Sequence, residues 1–287
     1  MKKISSLFPV CFFLLIAAGS QSCGGDKTDP VIYDTVRDTI VGYELNDSVK
    51  TRFKNIVSTM PVPFDMLKQF SGAHLPFKGE LLNDPKNAVA YNSASAQSFI
   101  LGIYGADLAY MISQDKLGDA APYLKAVRRL SDAVVVPSAF DANMLKRYES
   151  NQNEKDSMQG LVRSSYKHID NSLQGNDRLA LATLVLTGGW LESIYLTTQH
   201  IGNEQQNDKN KVLFDMISVQ QPYLQNITEL LGSFPNDSLC KQLHADFEQL
   251  KTSFPKGPNI PGKDFFAEIK VLRDNVAAIR NRYVSIQ

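Results

Sequence analysis

The chain has 287 residues, 43% of them hydrophobic, and its 30 basic and 30 acidic side chains cancel. That is ample material for one globular domain or two intimate halves. Zero formal net charge argues against a nucleic-acid partner, which demands a basic surface.

Helical periodicity dominates and long alternating β-branched runs are scarce, so the expected fold class is all-α, a multi-helix bundle. Residues 1–22 read as an export signal. Lys2 and Lys3 form a charged start, Leu7 to Ala18 is apolar, and Gly19, Ser20 and Ser22 are small. Small residues leading into Cys23-Gly24-Gly25 resemble a bacterial lipoprotein signal, with Gln21 departing from the commonest pattern. The resemblance implies cleavage just before Cys23 and a lipid on that cysteine. Cys11 then leaves with the signal, so Cys240 is the one thiol of the mature chain and no intramolecular disulfide is expected. Cysteine-built zinc and iron–sulfur sites are excluded on the same count. Residues 23–45 read as a flexible tether spanning on the order of 25 Å. The triplets Asp34-Thr35-Val36 and Asp38-Thr39-Ile40 resemble O-glycosylation patterns of Bacteroidetes envelope proteins.

The helical domain is expected over residues 46–287. Asp47 to Met60 is amphipathic, with Val49, Phe53, Ile56, Val57 and Met60 inward. Pro61 and Pro63 break it, and a short helix runs from Pro63 to Phe70. Asn92 or Ser93 caps a long helix to Gln114 that is apolar nearly all round. Asp119 is expected to cap a helix from Ala120 to Val134, with Pro122 in its first turn. Helices at Ser138–Tyr148 and Asp156–Leu173 follow. Next comes the most apolar run after the N-terminus, capped by Asn176 or Asp177 and stopped by Gly202. It is long enough to tempt a membrane reading, but Glu192 sits inside it and the apolar core is short, so a buried central helix is expected. Helices at Lys211–Leu231, Asp237–Phe254 and Gly262–Val284 complete the bundle.

The two apolar helices carry matching polar stripes. Asp107, Tyr110 and Gln114 recur as Glu192, Tyr195 and Gln199, each 85 positions later. Both helices are followed by a helix beginning Pro-Tyr-Leu, at Pro122 and at Pro222. These coincidences suggest two homologous halves related by a pseudo-twofold axis. Glycines weaken both helices in the same region, Gly102 and Gly105 in one, Gly188 and Gly189 in the other. They imply close backbone approach, a kink, or room for a bound group.

A buried, unpaired carboxylate costs several kcal/mol, so Asp107 and Glu192 must be paired, protonated or facing a wet cavity. Pairing with one of Arg128, Arg129, Arg163, Arg178, Arg273 or Arg280 is one reading. The other is a ligand pocket lined by Asp107, Tyr110, Gln114, Gly188, Gly189, Trp190, Glu192, Tyr195 and Gln199. The histidines lack the Glu-x-x-His spacing of di-iron bundles, so no metal is expected, and the absence of a phosphate loop or nucleophile elbow leaves no cofactor implied.

Leu81-Leu82-Asn83, Tyr91, the run from Leu101 to Tyr110, Gly188-Gly189-Trp190 and Glu192 resemble a group of uncharacterised all-helical lipoproteins of Bacteroidetes. The resemblance implies location and helical fold, and no activity. The expected protein is therefore anchored by lipid in a bacterial envelope, at the outer membrane on its periplasmic face or at the cell surface. It is expected to act as a binding or interaction module toward an envelope protein or a small molecule. A small-molecule sensing bundle is one alternative, and a hydrolase with Asp107 and Glu192 as acid and base is another. A closed stripe paired to arginine favours the first reading, a solvent-connected cavity the second. An open cleft with carboxylates about 5–10 Å apart favours the third.

Overall fold

A computed structural model of the chain describes residues 47–73, 75–134, 178–258 and 264–285, together with Ser150, Ser157, Gly160, Arg163 and Ser164. The signal, Cys23, the tether, most of the two helices expected between Ser138 and Leu173, and the caps Asn176 and Asp177 lie outside them. The described residues are all-α: α1 (Asp47–Thr59), α2 (Pro63–Leu67), α3 (Phe70–Ala73), α4 (Ala94–Ser113), α5 (Ala121–Ala133), α6 (Leu179–Ile201), α7 (Lys211–Ser218), α8 (Gln221–Gly232), α9 (Ser238–Ser253) and α10 (Phe265–Val284). No strand occurs among them.

Helix ends follow capping chemistry where a short polar side chain is available. Ser93 Oγ accepts from Ala96 N at 3.1 Å, Asp237 Oδ1 from Cys240 N at 2.8 Å, and Asp264 Oδ1 from Ala267 N at 3.1 Å. Gly202 ends α6 with φ +57, a conformation that favours glycine. Three expectations need correction. Asp119 does not cap α5; it closes a 3-10 turn, Leu117–Asp119, and Ala120 takes the cap position. The helix expected over Lys211–Leu231 is two, because Pro222 has no N–H to give and its ring crowds the carbonyl four residues back. The Pro63–Phe70 helix likewise divides into α2 and α3 at Lys68.

The core is the pair α4 and α6, both buried along almost their whole length. Helix α6 is apolar and long enough to cross a membrane by composition, yet nearly all of it is buried inside this body. The two helices run in the same direction: Phe99 and Gly102 of α4 meet Val185, Gly188 and Gly189 of α6, and Tyr110 meets His200. Around them, α2 packs on both, α5 covers α4, and α7, α8 and α10 cover α6, with α9 joining α8 and α10.

Backbone meets backbone at the crossing. A Cβ on Gly102 would overlap the Val185 carbonyl oxygen and stand 2.7 Å from Gly189 N. One on Gly188 would overlap the Phe99 carbonyl oxygen. The obstructing atoms are main chain and cannot rotate away, so of the readings open to these glycines the structure selects close approach. Gly102→Ala and Gly188→Ala are each expected to cost at least about 3 kcal/mol in urea denaturation, the upper end for overpacking. Gly118→Ala, with open space around it, is expected to stay within about 0.5 kcal/mol of the parent.

Candidate functional site

Just past the glycine crossing, Asp107 and Glu192 point into the same buried volume, both fully inaccessible to solvent. The two carboxyls lie near enough for the charge of Glu192 to act on Asp107. Of the candidate arginines, Arg280 on α10 is the partner. Its Nε donates to Glu192 Oε2 at 3.0 Å and its Nη2 to Glu192 Oε1 at 2.9 Å, a two-pronged ion pair. Nη2 also donates to the Leu81 carbonyl at 3.2 Å and Nη1 to Asn281 Oδ1 at 3.4 Å. The guanidinium lies 4.6 Å from the centre of the Tyr195 ring, which places that aromatic face under the cation.

Asp107 receives less. Its Oδ2 accepts from the backbone N–H of Asn83 at 3.1 Å, and Oδ1 has no hydrogen-bond partner. Burial, and then the charge of Glu192, push the Asp107 carboxyl well above the usual carboxylate range, against the opposing pull of Arg280. Asn83 anchors a wider net. Its Nδ2 donates to Tyr91 Oη at 3.2 Å, its Oδ1 accepts from Asn87, and Tyr91 in turn donates to the Val284 carbonyl at 2.9 Å.

The rest of the expected site separates. Tyr110 joins His200, not the acids: its hydroxyl accepts from Lys78 N at 2.9 Å and lies 2.8 Å from His200 Nε2. Burial holds the Tyr110 phenol up at about 12, so it keeps its proton. His200 Nδ1 is buried and unpartnered. Phe70 sits edge-on to both rings and Phe77 stacks on Tyr110. Burial, with Lys78 adding to it, lowers His200 to about 4. Gln114 and Gln199 are half-buried; Gln114 follows the last turn of α4, and the Gln199 carbonyl accepts from Lys78 Nζ at 3.0 Å. Trp190 leaves the cluster, donating to Gln220 Oε1 at 3.0 Å and packing on Phe247 and Phe254. Gly188 and Gly189 serve the helix crossing.

A surface depression of about 560 Å³ lies elsewhere, lined by Asp47, Ser48, Arg52, Asn226 and Glu229 among others. Among the described residues no three His, Cys, Asp or Glu side chains converge as a metal site. Burial raises the Cys240 thiol far above its ordinary value, which leaves it an inert core residue. Sequence reading missed Asn83, Lys78 and Tyr91 as partners, since each acts from an irregular segment whose path periodicity does not give.

No protein-family model, curated protein or solved structure matches the chain.

Removing one member of a buried ion pair strands the other. Glu192→Gln is expected to cost about 3–5 kcal/mol at neutral pH, measured by denaturant unfolding. Asp107→Asn keeps an acceptor for Asn83 N and is expected to cost less than about 1 kcal/mol. His200 gives a second test. Its folded value lies below the unfolded 6.5, so the unfolded chain binds more protons between them, and stability falls as pH drops from 6.5 toward 4. His200→Gln lacks this term, so the stability advantage of the parent over the variant should shrink by about 3 kcal/mol between neutral pH and pH 4.

Proposed function

We propose that this protein is a lipid-anchored interaction module of a bacterial envelope, held at the membrane through Cys23 and engaging an envelope partner with its outer surface. The observation that carries the reading is the sealed state of the acids. Glu192 is spent on Arg280, Asp107 holds the Asn83 amide, and neither is reachable by solvent. Side chains engaged in this way specify a fold and are poorly placed to turn over a substrate, which must reach its acid and base. The lipid anchor rests on the resemblance of the segment ending in Cys23 to lipoprotein signals, and the envelope location on the same residues.

The relation between two halves belongs to this proposal as well. It is supported by the parallel course of α4 and α6, by the nearness of Asp107 to Glu192, and by the matched starts of α5 and α8, where Leu124 and Leu224 are both buried.

The test is fractionation of cells making the parent or Cys23→Ser. The parent is expected in the membrane fraction, carrying label from a fatty-acid precursor; the variant is expected soluble, unlabelled and with the same melting temperature. A parent that is unlabelled and soluble would sink the anchor. Hydrolysis of any ester or glycoside substrate that vanishes in a folded Asp107→Asn variant would replace the interaction reading with the enzymatic one.

A further inference from the structure

A second polar pair sits at the far end of the α4–α6 interface, under a thin cover. The His200 ring of α6 places Nε2 2.8 Å from the Tyr110 hydroxyl of α4, and its Nδ1 is buried with no hydrogen-bond partner. The cover is α3 with the irregular residues 75–78 that follow it. Phe70 lies edge-on, its ring centre 5.5 Å from that of Tyr110 and 5.0 Å from that of His200, and Phe77 stacks on Tyr110 at 5.4 Å. Three hydrogen bonds tie the cover down. Ser71 Oγ donates to the Ser113 carbonyl at 2.6 Å, Lys78 N to the Tyr110 hydroxyl at 2.9 Å, and Lys78 Nζ to the Gln199 carbonyl at 3.0 Å. Two of the three therefore end on the pair or on the residue beside it.

We infer that His200 is an acid-sensitive catch for this cover: the neutral ring lets residues 70–73 and 75–78 stay closed over Tyr110, and protonation of the ring releases them, baring the aromatic faces of Phe70, Phe77 and Tyr110. The reason is the same whichever nitrogen carries the hydrogen of the neutral ring. A charged imidazole has a hydrogen on both. The one on Nε2 can be given to the Tyr110 oxygen. The one on Nδ1 is buried with no acceptor. Nor does a neighbour answer the added charge. From the cover, Lys78 brings a second cation, and Glu80 beyond it acts on the Tyr110 phenol. From α4 comes the neutral Tyr110, and just after that helix Lys116, seated over the Phe77 ring. From α10, Arg273 donates to the Gly202 carbonyl and holds Asp274. Glu192, farther back along α6, is committed to Arg280. A cation at His200 is therefore served only by water, and burial, with Lys78, already lowers the ring to about 4.

Water reaches the ring at least cost by lifting the cover. Helices α4 and α6 are long and locked by their backbone crossing, whereas α3 has four residues and its continuation no regular structure. Lifting it also parts the Lys78 ammonium from the new imidazolium. The inference depends neither on the lipid anchor nor on what the protein binds.

Two measurements on the full mature protein test it. NMR titration of the assigned His200 ring in the parent should show it neutral down to about pH 4. Hydrogen exchange, corrected for the intrinsic pH dependence of the amides, should show the cover opening at lower cost than α4 and α6 at every pH. Its protection should be about thirtyfold weaker at pH 5 than at pH 7.5, the factor for a ring that titrates at 6.5 when open and about 4 when closed. In His200→Gln the cover should be equally protected at both pH values. A His200 ring that titrates at its ordinary 6.5 in the parent overturns the inference. So does cover protection that is the same at pH 5 and pH 7.5, or that never separates from that of α4 and α6. A fall that persists in His200→Gln, as it would if His74 carried the effect, overturns it as well.

Discussion

The contact on which the structure depends is the main-chain crossing of α4 and α6. Two helices apolar on nearly all sides have no solvent face to orient them, so their relative position is set by where their backbones touch. Gly102 and Gly188 supply that place, each one leaving no room for a methyl group beside the facing carbonyl. Everything outward of the pair is then assigned: α5 goes to α4, α10 to α6, and α2 lies over both. One of the glycines beside the crossing, Gly189, has its open side filled by Pro63 of α2, which fixes that short helix at the same point.

Polar chemistry follows from the same geometry. A turn beyond the crossing, the helices are still near enough for the charge of Glu192 to act on Asp107, and by Tyr110 and His200 they still share a hydrogen bond. The acids draw in Arg280 from α10 and the Asn83 amide from an irregular segment; the phenol and imidazole draw in Lys78. These bonds give the otherwise uniform apolar interface a definite register. Buried ion pairs contribute little net stability compared with well-packed apolar side chains, while breaking one is costly, and both properties suit a role in specification.

Much of the fold was legible from sequence because it rests on local rules. The all-α class, the buried stripe of α1, the cap Ser93 and the stop at Gly202 all follow from residue type and period. Boundaries were lost where a residue's own geometry overrode the period, as Pro222 did between α7 and α8. The site was half legible. A buried carboxylate requires a partner, and Arg280 stood among the six arginines that could supply it, but which one depends on how α10 lies against α6, a fact of tertiary packing. Offsets of three and seven put each polar stripe on a single face of its helix. In space they divide, because seven residues span about 10 Å of helix, and a group at one end meets different neighbours from a group at the other. Gln114 and Gln199 therefore end near the surface, and Tyr110 finds His200, whose pairing no spacing announced.

The ties to α10 span great lengths of chain: 88 residues from Glu192 to Arg280, 193 from Tyr91 to Val284 and 199 from Leu81 to Arg280. Contacts of such separation form late, after shorter loops have closed. Until α10 docks, the two acids have no guanidinium beside them and the Asn83 segment lacks its anchor at Val284. The central helices can therefore find each other early through their glycines, yet the assembled pair stays electrostatically unsatisfied until the last described helix arrives. The ion pair and the Tyr91 anchor are therefore both completed by the last described helix. A chain interrupted before Arg280 would leave the buried Glu192 carboxylate without its guanidinium.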